Sequence, residues 1–287
     1  MDSSDVLVWL QLAVRWVHIF AAILWIGQTY LFNWFEKSFV ADASTPPNVV
    51  GNLWMVHGGG FYLVEKQKQP EIMPRTLHWF KWESAVTWLS GVVLIVLTYY
   101  LGVSGGLLIE PEQSYSTAAM AGVGVVLASW VVYDLLVQSP LGKHDIVIAV
   151  IGFFALVGLS YGLPKVMSPR AAYIHVGFVI GTIMAANVWM RILPSQTKML
   201  AAAREGKKPE ASLSARGPQR SKHNTFLVVP LVFLMLSNHY PSTFGNDYSW
   251  VILGVAILVG WTAARIMRGT RPSEGKQAVA APAAKEG

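Results

Sequence analysis

The sequence predicts an all-α, polytopic membrane helix bundle of about seven transmembrane helices, and three observations carry that reading. Hydrophobic residues fill 53% of the 287 positions and charged residues only 13%, about half the charged share of a soluble chain. The deficit is uneven: long apolar runs alternate with short polar stretches, the pattern of a chain that crosses a bilayer repeatedly. The net charge of +6 comes mostly from basic residues lying between those runs, where membrane topology accounts for them. The expected partner is therefore the lipid bilayer, with no nucleic acid. The chain has no cysteine, which excludes disulfides, thiolate metal sites and covalently attached c-type haem.

A spanning helix needs about 20 apolar residues at about 1.5 Å each. The runs near 12–34, 84–103, 117–138, 145–163, 171–190, 225–239 and 249–267 meet or approach that length. The first is read as a retained helix, because Met1 to Asp5 lack the basic flank of a cleavable signal. The sixth is short and contains Pro230, a kink that neighbouring helices can accommodate. The domain so defined is 1–270, and 271–287 reads as a flexible tail.

Orientation follows from charge. The 192–224 loop carries Lys198, Arg204, Lys207, Lys208, Arg216, Arg220 and Lys222, whereas the loops around Glu110 and around Asp247 carry no Lys or Arg. The positive-inside rule then places the N-terminus outside and the C-terminus in the cytoplasm. Lys165 and Arg170 on the external side depart from the rule. The 36–82 segment is too long for a bare loop, and its aromatic residues predict packing against the membrane domain. A weak repeat is also visible. Ile26-Gly27 with Asn33 and Lys37 matches Ile180-Gly181 with Asn187 and Arg191 at equal offsets, and Arg75…His78 matches Arg220…His223. A duplicated helix pair or chance gives the same pattern.

Histidines inside apolar runs are costly, which makes each a functional candidate. Counted from Lys37 and Arg191, His18 and His175 stand roughly 25 Å along their helices, and His239 closes the sixth run. The three are expected to converge near the outer face. Neutral imidazole is a good axial ligand for haem iron, so the expected cofactor is non-covalent b-type haem on His18, His175 and His239. The simpler role for each is a hydrogen bond to a backbone carbonyl. Arg15, one turn from His18, could meet a haem propionate or merely anchor the helix at the interface. Asn238 and Asp247 could orient His239. His57-Gly58-Gly59-Gly60-Phe61-Tyr62, with Lys66 beyond, could bring backbone N–H groups to an anion or form a tight loop. Glu83 stands among Trp79, Trp82 and Trp88, either half-buried or an ordinary interfacial charge. Asp134 reads as a helix-end residue, His144 as solvated, and His78 and His223 as packing at helix starts.

Several longer motifs form a recognisable set. They are Arg15-Trp16-Val17-His18 with Trp25-Ile26-Gly27, Val56-His57-Gly58-Gly59-Gly60-Phe61-Tyr62, and Trp79-Phe80-Lys81-Trp82-Glu83-Ser84. Further on come Tyr133-Asp134-Leu135-Leu136, Ala186-Asn187-Val188, Arg220-Ser221 with His223-Asn224, and Ser237-Asn238-His239-Tyr240-Pro241. In these motifs the chain resembles the membrane domain of the bacterial cytochrome-c-fused urate oxidases, the membrane-bound urate hydroxylases. The resemblance implies oxidation of urate to 5-hydroxyisourate, with His57, Tyr62, Lys66 and Glu83 handling substrate or protons. It also implies an external cytochrome c domain bearing Cys-x-x-Cys-His, which a chain without cysteine does not contain. Electrons are therefore expected to pass through haem to a separate c-type cytochrome or respiratory complex subunit. The competing reading is a non-catalytic haem-binding or anchoring membrane subunit of an electron-transfer complex. A third is a small-molecule transporter.

Overall fold

The computed structural model describes residues 3–68, 76–102, 107–207 and 210–269. Arg75, Lys208 and the 271–287 tail lie outside those residues, and with Arg75 goes one arm of the repeat. The elements, in chain order, begin with helix α1 (Ser3–Ser38) and a hairpin of β1 (Val49–His57) and β2 (Gly60–Gln67). Then come α2 (Trp82–Ile95), which runs on as a π-helical turn over Val96–Tyr100, α3 (Tyr115–Gln138) and α4 (Asp145–Gly162). Helix α5 (Pro169–Ala186) continues through a second π-helical stretch, Asn187–Ile192, into α6 (Leu193–Arg204). Helices α7 (Ala211–Ser237), α8 (Pro241–Phe244) and α9 (Ser249–Arg268) complete the bundle.

The all-α membrane architecture is as the composition predicts, and the chain is a multi-pass membrane protein. Among the described residues, six helical stretches are long and apolar enough to cross a bilayer. The sixth predicted run is the second half of α7, which is not one of those six because its first half is polar. That half nevertheless packs along α5 and α9, with Val228 and Leu234 buried. Local sequence sets the boundaries. Ser114 and Ser168 accept the backbone N–H groups of Thr117 and Ala171 as N-caps of α3 and α5, and Pro169 follows at the first position of α5.

Helix α5 is the centre. In the α5–α6 stretch 56% of the most apolar window is buried, against 11% in α1. Ala171, Tyr173, Val176, Val179 and Ile180 are all nearly inaccessible, so α5 is buried around most of its circumference, as befits an interior helix. Helix α1 is peripheral and presents Trp9, Trp16, Phe20 and Ile23 outward, the surface that lipid covers.

Two expectations need correction. The 192–224 loop is largely helical, made of α6 and the start of α7. Arg220, counted there as a surface charge, is only 3% exposed. The 36–82 segment is a hairpin standing on the end of α1, held by the Val40–Asn52 bridge and a Lys66–Glu36 ion pair. Its turn is Gly58-Gly59 with φ of 57° and 80°, the left-handed pair that a two-residue hairpin turn requires. The glycine triplet is thus a tight turn. Trp54, Val56, Phe61 and Leu63 share one exposed face of the hairpin, so its outer part does not pack into the bundle as expected.

Candidate functional site

Helices α1 and α2 run antiparallel, and three polar rungs join them. Gln11 Nε2 donates to Thr98 Oγ1 at 2.5 Å, His18 Nδ1 meets the Thr87 carbonyl at 2.9 Å and Ser90 Oγ at 3.1 Å, and Gln28 Nε2 donates to Glu83 Oε1 at 3.0 Å. A carbonyl only accepts, so His18 Nδ1 carries the proton and Nε2 keeps its lone pair. Gly91 faces the imidazole, and a Cβ there would lie 3.1 Å from His18 Cε1.

His175 shows the same fixed tautomer. Its Nδ1 donates to the Ala171 carbonyl at 2.8 Å, and its Nε2 accepts from Tyr100 Oη at 2.8 Å. The residue is fully buried. The π turn over Val96–Tyr100 delivers both Tyr99 and Tyr100 to its ring, which is where such widened turns are often found. Gly122 on α3 leaves the space: a Cβ would lie 2.4 Å from Tyr100 Oη and 2.7 Å from His175 Nε2. Tyr99 Oη and Arg170 Nε both donate to Asn238 Oδ1, at 3.0 and 2.8 Å.

The expected trio therefore separates. His18 is held at Thr87 and Ser90, whereas His175 is held by Tyr100, about 15 Å beyond Ser90 by helical rise. His239 is exposed beyond α7, and its neighbour Asn238 takes the inward position, serving Tyr99 and Arg170 instead of orienting His239. Convergence at one depth does not hold. The donor chemistry at His18 and at His175 suits an iron ligand, since a backbone carbonyl pins each Nδ1–H. Their spacing does not fit one iron shared between them. Among the described residues, no group of three or more His, Cys, Asp or Glu is placed to hold a metal ion.

The remaining expected site residues are not gathered either. His57 and Tyr62 sit exposed near the hairpin tip, while Lys66 is at its base, paired with Glu36. Glu83 belongs to the α1–α2 interface, and Arg15 is exposed on α1.

A second polar network, which the sequence reading missed, occupies the hairpin end of the bundle. Asp134 on α3 accepts Arg191 Nε at 2.9 Å and Arg220 Nη2 at 2.8 Å. Asn187 Nδ2 donates to Tyr133 Oη and to Asn224 Oδ1, at 3.1 and 2.9 Å. His223 Nδ1 meets Tyr133 Oη at 2.8 Å, and Lys222 pairs with Asp145. The Arg220 guanidinium also lies over the Tyr133 ring, 4.9 Å from its centroid. Asn187 and Arg191 both belong to the second π-helical stretch. Three cations thus face two carboxylates. Tyr133, Asp134, Asn187, Arg220, His223 and Asn224 come from three separate motifs of the sequence, and that recurrence of polar residues at helix ends is the signal the sequence carries.

A family model described as urate oxidase N-terminal matches residues 4–285. The chain belongs to that family. The match spans both polar networks, the hairpin and every helix, so the urate oxidase N-terminal fold is this membrane bundle as a whole. Comparison with curated proteins and with solved structures gave no significant match.

Proposed function

We propose that this membrane domain oxidises urate to 5-hydroxyisourate and passes the electrons through b-type haem to an external cytochrome c. The observation that carries the proposal is the urate oxidase N-terminal match over residues 4–285. The reaction adds water to urate and releases two electrons and two protons, so the protein must hold a planar anion and route both products.

The haem would be held by His175 and His18, on separate irons, and would supply one-electron transfer. The chain's own groups do the rest. The Ala171 and Thr87 carbonyls fix the two imidazole tautomers, and each Nε2 keeps its lone pair for a ligand. The Tyr100 hydroxyl now donates to His175 Nε2 and would turn away when that nitrogen is taken. The excess cation of the Asp134 network gives the hairpin end a positive field that attracts an anion. Basic residues still crowd that end after Arg220 is discounted: Lys37, Lys198, Arg204, Lys207, Arg265 and Arg268. We therefore place it in the cytoplasm of a bacterial inner membrane, with the N-terminus outside.

One observation favours a second reading, a non-catalytic anchoring subunit. His57 and Tyr62 stand exposed near the hairpin tip, apart from Lys66 at its base, and the hairpin's exposed apolar face suits a partner protein. A difference spectrum of the purified protein separates the two readings. Under the first, urate alone reduces a bound b-type haem. A haem that dithionite reduces and urate does not would support the second.

A further inference from the structure

Between α1 and α2 lies an outward-facing groove of about 420 Å³. Its walls are apolar and largely aromatic, with Trp16, Phe20 and Leu24 on one side and Trp82 and Val86 on the other. One polar side chain reaches it, Glu83. Gln28 serves Glu83 Oε1, but Oε2 is buried and has no hydrogen-bond partner among the described residues. An unpartnered acceptor inside a low-dielectric site is costly, and ionised or neutral the carboxyl is one bond short here. Because Glu83 lines the groove, a donor entering there can supply the missing partner once the carboxyl turns towards it.

We propose that this groove binds a membrane-dissolved hydroquinone, whose phenolic O–H donates to Glu83 Oε2. Four observations select that chemistry. The groove faces the lipid side of the peripheral helix α1, so its occupant arrives from the bilayer. The walls present Trp16, Phe20 and Trp82, which stack on a planar ring. Glu83 is the second residue of α2, at the end of the span, so a polar head would sit near the membrane boundary. From there the groove extends along α1 towards Trp16, eight residues before Leu24 and about 12 Å by helical rise, the length of a short isoprenoid or alkyl tail. A carboxylate among apolar walls repels an anion, which removes urate as the occupant and takes Glu83 out of the urate-handling set. The proposal does not depend on the urate reading, because the test measures binding alone.

The test uses the whole chain in phosphatidylcholine nanodiscs, with tryptophan quenching by a decyl-substituted benzohydroquinone kept reduced. The control probe is its dimethyl ether, which has the same ring and tail and no donor. The wild type should bind the hydroquinone about tenfold more tightly than the ether, the worth of one hydrogen bond to a charged acceptor. Glu83→Ala should lose that preference, while Val86→Trp, which fills the groove from its rim, should weaken both probes. Equal binding of hydroquinone and ether by the wild type overturns the proposal, as does a preference that survives in Glu83→Ala. Should Glu83→Ala fail to fold, the two-probe comparison on the wild type decides alone. Displacement of the hydroquinone by phosphatidylethanolamine would assign the groove to a phospholipid and also overturn it.

Discussion

Arg220 on α7 donates to the carboxylate of Asp134 on α3 at 2.8 Å, with both side chains less than a tenth exposed. The contact ties two helices distant in sequence, and Arg191 closes it from a third. Removing one member of a buried pair costs about 3–5 kcal/mol, because the other charge is left unpaired. Asp134→Asn strands two guanidiniums and should lower unfolding stability in detergent by at least that order. Arg191→Ala, at the more exposed side of the network (33%), should cost about 1 kcal/mol or less. Equal losses would show that the burial of Arg220 is not what matters.

Gly122 and Gly124 make a paired test on one helix. A methyl group at Gly122 drives into Tyr100 Oη and His175 Nε2, whereas nothing lies within 4 Å of one at Gly124. Gly122→Ala should destabilise by about 1–3 kcal/mol through overpacking. Gly124→Ala should be neutral or stabilise by up to about 1 kcal/mol through helix propensity. Thermal unfolding of the two variants checks both signs.

What the sequence made legible was the part written in composition. Apolar runs of spanning length need no partner to be recognised: all seven fall in helices, and the second, third, fourth and seventh keep nearly the expected bounds. Arg220 was misread because a basic residue before an apolar run looks the same in solvent as beside a buried Asp134. The hairpin escaped although its signal was present: Val49–His57 and Gly60–Gln67 are rich in β-branched and aromatic residues around a Gly-Gly turn. The common depth of His18 and His175 was misjudged because helical rise was counted from Lys37 and Arg191 as if both marked one plane. Their partners on one helix, Thr87 and Ser90 for His18 and Tyr100 for His175, set the offset and are invisible in sequence.

That offset has a spectroscopic consequence. If His18 and His175 each hold haem, His18→Ala and His175→Ala should each remove or shift a part of the reduced-minus-oxidised spectrum, and the two parts should differ. His239→Ala and His144→Ala, both exposed, should leave it unchanged. Loss of the whole spectrum in either single variant would point to one shared iron.

Orientation is open to reporter fusions. A reporter after Gly102 should read external and one after Glu205 cytoplasmic, since the two positions lie at opposite ends of the bundle. Both on one side would contradict the inside placement of the basic end.

The central claim is that this domain takes electrons from urate and delivers them to a cytochrome outside. Its most direct measurement is anaerobic mixing of haem-loaded protein with urate and oxidised cytochrome c, following urate loss and cytochrome reduction together. The account requires two equivalents of cytochrome reduced for each urate consumed, and no urate loss beyond the haem content when cytochrome is left out. Haem-loaded protein that leaves both urate and cytochrome unchanged would contradict it.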